Sequence, residues 1–350
     1  MSRLLRLISP KGCLPRPQAR RQAFSRLTFH LSPFTFNLTL LNPNNIICNG
    51  LSMSYGQTRA LKGATFAVDE GELFGLIGPD GAGKTTLIRI LASLLVPSGG
   101  SATMCGADVV KDYQAIRQMV GYMPGRFSLY QDLTVRENLE FFASVFGTTV
   151  EQNYRLIEDI YKMLEPFANR PAGKLSGGMK QKLALSCALI HKPKVLLLDE
   201  PTTGVDAVSR KEFWTMLRKL KNEGITMLVS TPYMDEAAQC DRIALIQNGD
   251  ILQIESPKQI VDSYVYDLFG IESKRPNAVI KALRADSRFQ SSFLFGHEVH
   301  LSVERGSISI GAVEQFLLEN GITSIAIKQI SPTIEDCFMS LMEHQNATHI

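Results

Sequence analysis

The sequence of 350 residues lacks any apolar run that approaches the roughly 18 residues needed to cross a membrane. Its six cysteines lie far apart, with no Cys-x-x-Cys pair and no Cys/His cluster, which argues against both a zinc site and a disulfide framework. With 45% hydrophobic and 20% charged residues, the chain lacks the composition of a disordered protein. We therefore expect a globular protein of about two domains with reduced thiols, as in a cytosol.

Acidic residues are missing from the first 44 residues, which hold seven Lys and Arg. In the rest of the chain acidic residues outnumber basic ones by four, so the body has no charge excess of the kind that binds nucleic acid. Residues 1–44 also lack the apolar core and cleavage site of a signal peptide. We interpret them as a basic, disordered extension; an organellar transit peptide and a misassigned start codon remain open.

From residue 45 onwards, short apolar runs alternate with helical patterns. Strands are predicted at 46–55, 61–68, Leu73–Ile77, 195–198, 226–229 and 243–246. This alternation predicts an α/β fold with a mostly parallel sheet. Residues 133–190 show no strand signal, and Thr134 with Glu137 forms a capping-box pattern. The sequence therefore predicts an inserted helical subdomain over about 126–190.

The last part of the chain is predicted to be a small α+β domain over 265–350, separate from a core domain over 45–264. Its clearest predicted strands are 307–310 and 324–327, with a helix at 313–319 between them.

The strongest chemical motif is a glycine-rich string that fits the pattern G-x-x-x-x-G-K-[ST] in full. It reads Gly78-Pro79-Asp80-Gly81-Ala82-Gly83-Lys84-Thr85-Thr86. Glycines let backbone N–H groups turn inward around a phosphate, and the following helix points the positive end of its dipole there. Lys84 is expected to reach the β- and γ-phosphates, and the Thr85 hydroxyl to bind Mg²⁺. The flanking strand and helix favour a nucleotide-binding P-loop over a chance glycine-rich turn.

Two adjacent carboxylates, Asp199 and Glu200, follow the apolar run 195–198. In open α/β sheets, ligands bind at the C-terminal ends of strands. Asp199 is expected to hold Mg²⁺ through water, and Glu200 to orient and polarise an attacking water. Such a pair alone is often a solvated strand end, but 115 residues after a P-loop lysine it indicates a hydrolytic nucleotide site.

A second glycine-rich string precedes an apolar helix pattern and reads Leu175-Ser176-Gly177-Gly178-Met179-Lys180-Gln181. Ser176 is a good N-cap residue. The two glycines leave the first N–H groups of the helix open to an anion. A glycine-rich helix start without a binding role has the same sequence pattern, but the presence of the other two motifs favours an anion-binding role.

Together the three motifs resemble the ATP-binding subunit of ABC transporters over about residues 46–264. In that resemblance the second glycine-rich string is the signature sequence, whose Ser176, Gly177, Gly178 and Gln181 meet the ATP of a partner subunit. Tyr55 lies where the family stacks an aromatic ring on adenine, although a tyrosine in a strand also packs in cores. Asp206 matches the D-loop aspartate, and 331–338 looks like the C-terminal element of ABC-2 exporter ATPases.

The resemblance implies a P-loop NTPase core with ATP and Mg²⁺ as cofactors. It also implies two subunits packed head to tail, each ATP lying between one P-loop and the other subunit's signature. The expected partners are an integral membrane permease and a second ATP-binding subunit, the same or a different chain, with no nucleic acid. The expected location is peripheral, on the cytoplasmic face of the membrane.

Two positions depart from the family pattern. Gly125 follows Gly-Tyr-Met-Pro, where the family has a Gln that meets Mg²⁺. Pro232 replaces the His of Ser-Thr-His-Tyr-Met-Asp-Glu. Proline has neither a titratable group nor an N–H, so it cannot reach the γ-phosphate or the water as imidazole does.

We therefore expect an exporter subunit that hydrolyses ATP with Glu200 as base and drives transport through a separate membrane subunit. Two alternatives stay open. One is an ATP-binding subunit that hydrolyses poorly, which Gly125 and Pro232 favour and Glu200 opposes. The other is an ABC ATPase outside transport, acting on DNA or ribosomes; the single P-loop argues against the ribosomal kind, which usually carries two ATPase units.

Overall fold

A computed structural model of the chain describes residues 44–348, with the side chains of 44–343. These residues belong to one compact unit. The predicted basic extension over 1–44 lies outside the described residues, apart from residue 44. None of the helices in this part of the chain is long and apolar enough to cross a membrane.

The strands, numbered in chain order, are β1 Asn44–Tyr55, β2 Thr58–Asp69, β3 Leu73–Ile77, β4 Gly99–Met104, β5 Ala107–Asp108, β6 Val120–Met123, β7 Val195–Asp199, β8 Thr226–Thr231, β9 Arg242–Gln247, β10 Asp250–Glu255, β11 Tyr266–Ser273, β12 Ser291–Phe295, β13 Glu298–Glu304 and β14 Ile325–Gln329. The α-helices are α1 Lys84–Leu91, α2 Tyr113–Met119, α3 Val135–Val145, α4 Val150–Tyr161, α5 Gly177–Leu189, α6 Ala207–Asn222, α7 Pro257–Asp262, α8 Pro276–Arg284, α9 Ile310–Glu319 and α10 Ile334–Thr348.

The central sheet has the order β10-β9-β3-β8-β7-β6 and is parallel except for the edge strand β10. Every residue of β3, β7 and β8 is buried. Parallel strands that are covered on both faces appear in a sequence as short continuous apolar runs, and this is why they could be predicted. The expected α/β fold with a mostly parallel sheet is confirmed.

A second, antiparallel sheet of order β2-β1-β4-β5 lies beside the first. Its β1–β2 hairpin turns at Gly56, which has a φ of +60°, as the glycine there predicts. This hairpin matters for the site because the carbonyl of Ala60 lies against the glycine-rich loop that follows β3.

The segment between β6 and β7 is helical, as predicted. Thr134 caps α3: its hydroxyl accepts from Glu137 N–H at 3.2 Å, and Glu137 Oε2 accepts from Thr134 N–H at 2.7 Å. The capping box predicted from the sequence is thus confirmed. Helices α3, α4 and α5 pack into the same core as β7 and β8.

Residues 266–348 contain an antiparallel sheet of order β12-β13-β11-β14. Helices α8 and α9 cover one face, whereas α10 packs beside Leu268 of β11 in the main core. The Tyr264 hydroxyl and Ser302 Oγ are 2.6 Å apart, so contacts cross the predicted boundary at 264. That 265–350 is a separate domain stays a prediction.

One predicted strand in this region is wrong. Residues 307–310 form a turn and the start of α9, with Ser309 as N-cap accepting from Ala312 N–H at 3.3 Å. The alternation Ser-Ile-Ser-Ile imitates a strand over four residues, but serine is also a strong helix cap. The strand predicted at 324–327 corresponds to β14.

Candidate active site

The glycine-rich string lies between β3 and α1, as predicted. A Cβ added to Gly78 would lie 2.1 Å from Ile246 O, and one added to Gly83 would lie 2.4 Å from Ala60 O. Gly83, the N-cap of α1, also has a φ of +107°. These two positions therefore need glycine for close backbone approach and, at Gly83, for the left-handed conformation.

The remaining residues of the loop differ in burial. Asp80 and Gly81 are exposed, Ala82 is buried, and Pro79, Thr85 and Thr86 are half-buried. Lys84 is only 3% exposed. Its Nζ donates to Gly78 O at 2.8 Å and to Pro79 O at 2.9 Å, and lies 3.2 Å from Glu200 Oε1. The loop thus holds one buried cation beside the carboxylate at the end of β7.

Asp199 joins the loop to the sheet. Its Oδ1 accepts from Thr85 Oγ1 at 3.0 Å and from Ser230 Oγ at 2.8 Å. Burial raises the pKa of Asp199, and the two hydroxyl hydrogen bonds only partly oppose this. A hydroxyl and a carboxylate are donors that Mg²⁺ accepts. Since no group of three or more His, Cys, Asp and Glu is placed to hold a metal ion within residues 44–348, phosphates and water would complete the shell.

The raised pKa gives a testable stability effect. The folded protein holds the Asp199 proton more tightly than the unfolded chain, so the free energy of unfolding falls as pH rises through the raised pKa. We expect Asp199→Asn to raise the urea midpoint at neutral pH without nucleotide or metal, and the gain to shrink as the pH is lowered through the raised pKa of Asp199.

Asp206→Asn is the matched control for that measurement. Backbone hydrogen bonds, first that from Ser209, lower the pKa of Asp206, so its substitution should reduce stability at neutral pH. If Asp199→Asn destabilises the protein at neutral pH as Asp206→Asn does, the burial of the Asp199 charge is not costly.

Glu200 has an unusual backbone conformation, with a φ of +49°. Its N–H donates to both Ser230 O at 3.1 Å and Ser230 Oγ at 3.0 Å. A non-glycine residue in this region costs about 1–3 kcal/mol and persists only where its surroundings hold it. The turn directs the Glu200 side chain towards Lys84.

The second glycine-rich string begins α5 with Ser176 as N-cap, accepting from Met179 N–H at 3.4 Å. Ser176 and Gly177 are exposed, Gly178 is buried and Gln181 is half-buried. A Cβ on Gly178 would lie 2.6 Å from Ser209 Oγ. The start of α5 thus packs against the start of α6 through Gly178, while Ser176 and Gly177 remain exposed.

Tyr55 and Asp206 have distinct local settings. Tyr55 ends β1 and is 48% exposed, so its ring is not packed in a core. Asp206 is the N-cap of α6, where its Oδ1 accepts from Val208 N–H at 3.1 Å and Ser209 N–H at 2.9 Å.

Sequence comparison identifies the family. A family model described as ABC transporter matches residues 61–203. The Nod factor export ATP-binding protein I of Rhizobium sp. (strain N33) is 33% identical over 300 residues, which cover 83% of this chain and 95% of that protein. The chain belongs to the ABC transporter ATP-binding proteins.

Other relatives of this ABC protein support the same conclusion. The probable multidrug ABC transporter ATP-binding protein YbhF of Escherichia coli (strain K12) is 40% identical over 311 residues, covering 86% of this chain and 53% of YbhF. The chain thus spans about half the length of this relative and of its Shigella flexneri counterpart.

Solved structures of ABC cassettes share the fold. CbiO1 from Clostridium perfringens has a TM-score of 0.56 and 26% identity, covering 63% of this chain and 91% of cbiO1. The dimeric cassette MJ0796, in a post-hydrolysis state with ADP and Pi, has a TM-score of 0.55 and 27% identity, covering 60% and 98%. The predicted P-loop NTPase fold is confirmed.

Both departures from the ABC pattern lie close to the carboxylate pair or the P-loop. A Cβ on Gly125 would lie 3.0 Å from Asp199 O and 3.7 Å from Glu200 Cβ. Pro232 directly follows Thr231, whose carbonyl accepts from the P-loop N–H of Gly78 at 3.3 Å.

Sequence reasoning missed two residues that organise this ABC site, Ser230 and Glu236. Ser230 bonds both Asp199 and the Glu200 N–H, and Glu236 is an acid that is only 3% exposed. A signal for Ser230 was present, because polar residues at the end of a fully buried strand must find partners. The burial of Glu236 had no signal, since exposed Asp235 precedes it.

Proposed function

We propose that the chain is the ATP-hydrolysing subunit of an exporter and drives a separate membrane permease. The observation that carries this proposal is one cluster of groups at the P-loop. Lys84 Nζ lies 3.2 Å from Glu200 Oε1, and Thr85 Oγ1 lies 3.0 Å from Asp199 Oδ1. A phosphate-binding cation, a base and two metal ligands are what hydrolysis of a nucleoside triphosphate needs.

Each group has a defined task in the reaction of ATP with water to give ADP and phosphate. Lys84 binds and stabilises the β- and γ-phosphates, because it is a buried point charge. Glu200 orients the attacking water and accepts its proton. Thr85 and Asp199 would hold Mg²⁺, which when bound neutralises phosphate charge. Tyr55, half-exposed at the end of β1, offers its ring to the adenine.

A second ATP-binding subunit completes the site in this proposal. Ser176 and Gly177 are exposed at the start of α5, and the close neighbours of Gly177 and Gly178 belong to residues 204–209 rather than to the P-loop. An exposed helix N-terminus suits an anion that another chain brings. We therefore assign this helix start, with Gln181, to the partner's γ-phosphate, and place Asp206 beside the same interface.

An apolar groove supports a membrane partner. A cavity of about 500 Å³ lies between the core and the helical insertion, and among its lining residues are Leu94, Met123, Phe142 and Val145. Leu94 and Val145 are 50% and 57% exposed, and exposed apolar patches of this kind mark interaction sites. We place the permease here, which puts the chain on the cytoplasmic face of the membrane. The named exports of the relatives, multidrug and Nod factor, suggest an organic cargo.

Val145→Glu tests the membrane partner. The added charge should release the protein from the membrane fraction of its own cells, because a carboxylate in the groove opposes apolar contact. Phosphate release by the purified variant should stay at the wild-type rate, since Val145 lies on the surface of α3. The measurement is fractionation and immunoblotting beside phosphate release.

Val265→Glu is the matched control, because Val265 is 63% exposed and does not line the groove. It should remain with the membrane fraction. Release of both variants, or of neither, would contradict the assignment of the groove, and a wild-type protein that never fractionates with membranes would favour an ABC ATPase outside transport.

Gly125 and Pro232 favour a second candidate, a subunit that binds ATP and hydrolyses it poorly. Neither residue has a side-chain group that can form a hydrogen bond to the γ-phosphate or the water. Phosphate release by the wild type above the background of Lys84→Ala decides between the candidates.

A further inference from the structure

Glu236 is a buried acid to which the sequence motifs assign no role. It lies on the short 3-10 helix Met234–Gln239, four residues after Pro232, and is only 3% exposed. A buried carboxylate is costly unless hydrogen bonds or a counter-charge hold it. The groups around Glu236 therefore indicate what its burial achieves.

Two threonine hydroxyls donate to the same oxygen of Glu236. Oε2 accepts from Thr231 Oγ1 at 2.6 Å and from Thr202 Oγ1 at 3.0 Å. Both threonines are almost fully buried. Hydrogen bonds to an ionised acceptor are about twice as strong as neutral ones. The carboxylate thus ties the loop after β7 to the end of β8.

The Thr202 bond restrains the turn that directs Glu200. Thr203 N–H donates to Glu200 O at 3.2 Å, and Thr203 Oγ1 lies 3.4 Å from Glu200 Oε2. Because the φ of Glu200 is +49°, this turn depends on its surroundings for its shape. The hydrogen bond from Thr202 to Glu236 is part of those surroundings.

The Thr231 bond restrains the turn that contains Pro232. Thr231 Oγ1 accepts from Tyr233 N–H at 3.0 Å while it donates to Glu236, so the direction of its proton is fixed. The Thr231 carbonyl accepts from the P-loop N–H of Gly78. Pro232 has no N–H and no titratable group with which to hold this turn. The turn therefore depends on Thr231 and, through the Thr231 hydroxyl, on Glu236.

Arg210 extends the connection to α6. Its Nε lies 3.9 Å from Glu236 Oε1, and its guanidinium lies over the ring of Tyr233, 4.8 Å from the centroid. Arg210 follows Asp206, the N-cap of α6, by four residues. One carboxylate therefore faces three segments: the loop after Glu200, the turn at Pro232 and the start of α6.

We propose that Glu236 is a positioning residue for ATP hydrolysis, holding Glu200 and the turn at Pro232 in place relative to the P-loop. This inference rests on the proposed function, hydrolysis at the chain's own P-loop. The inference predicts different effects on two measured quantities. The rate of hydrolysis should depend on Glu236, whereas the affinity for ATP should not, because it comes from Lys84 and the P-loop backbone.

The test uses Thr202→Val and Glu236→Gln in the full chain. The first removes one hydroxyl at nearly constant volume, and the second removes the charge. We expect kcat to fall about tenfold or more in each, because small displacements of catalytic groups cost up to about a hundredfold. The Kd of ATP should stay within about twofold, since the P-loop is untouched. Thr202→Ser, which keeps the hydroxyl, should retain wild-type kcat.

Asp235→Asn is the matched control, since its carboxylate also lies 3.9 Å from Arg210 but is 76% exposed. It should leave kcat unchanged. Wild-type kcat in Thr202→Val and Glu236→Gln overturns the inference, as does a loss of ATP affinity in parallel with kcat. If Glu236→Gln does not fold, Thr202→Val with Thr202→Ser decides alone. Absence of phosphate release by the wild type would instead overturn the proposed function.

Discussion

Replacing Lys84 with alanine should weaken ATP binding by about tenfold or more, because a charge-assisted hydrogen bond contributes roughly 1.5–3 kcal/mol. Lys84 is the buried cation of the P-loop, and its Nζ is held by two loop carbonyls. The substitution also leaves Glu200 without its ion-pair partner, which adds charge repulsion against an incoming phosphate. Titration with a fluorescent ATP analogue measures the affinity.

Lys62→Ala is the matched control for Lys84→Ala. Lys62 makes an exposed ion pair with Asp250 at 2.7 Å, and such surface pairs contribute little. Its substitution should leave ATP affinity unchanged. Equal affinities for Lys84→Ala and the wild type would refute the P-loop assignment; the thermal midpoint of Lys84→Ala, measured in parallel, shows whether a loss of affinity reflects unfolding.

Gly178→Asp should nearly abolish ATP hydrolysis when this chain is paired with a different, intact ATP-binding subunit. In such a pair the signature of this chain completes the partner's site, and an added carboxylate repels the γ-phosphate there. Glu200→Gln should cost much less, because it affects the site that already contains Gly125 and Pro232. The measurement is steady-state phosphate release by the reconstituted pair.

Gly178→Ala is needed as the control, because any Cβ at this position meets Ser209 Oγ at 2.6 Å. The alanine variant carries that crowding without the charge and should retain most of the activity lost in Gly178→Asp. If Glu200→Gln reduces phosphate release as much as Gly178→Asp does, the prediction that the two ATP sites of the pair differ in activity is wrong. In a homodimer both substitutions affect both sites, so equal damage is expected there.

The parts of the fold that could be predicted are those whose signals are local. Strands β3 and β7 are short, fully buried apolar runs, and Thr134 lies three residues before Glu137 as a capping box requires. Strand β10 has no buried residue, so its sequence carries little contrast between its two faces, and it was missed. The strand predicted at 307–310 failed because four alternating residues are too few to exclude a helix cap.

The residues of the site also differ in whether the sequence alone could reveal them. The P-loop and the pair Asp199 and Glu200 are contiguous strings whose chemistry can be inferred from the sequence. Glu236 instead receives its role from Thr202, 34 residues away, and from burial that Asp235 beside it does not share. No pattern of residue types distinguishes two adjacent acids when only the tertiary fold decides which one points inward.

The ammonium group of Lys84 has three N–H donors, and three acceptors already surround it: Gly78 O, Pro79 O and Glu200 Oε1. A γ-phosphate oxygen can therefore bind Lys84 only in exchange for one of them. The Glu200 side chain is 22% exposed, and the loss of its contact with Lys84 leaves the loop backbone intact. Binding of the γ-phosphate would therefore displace the Glu200 carboxylate from Lys84. The base would become free to activate water only when the phosphate bond to be hydrolysed is present.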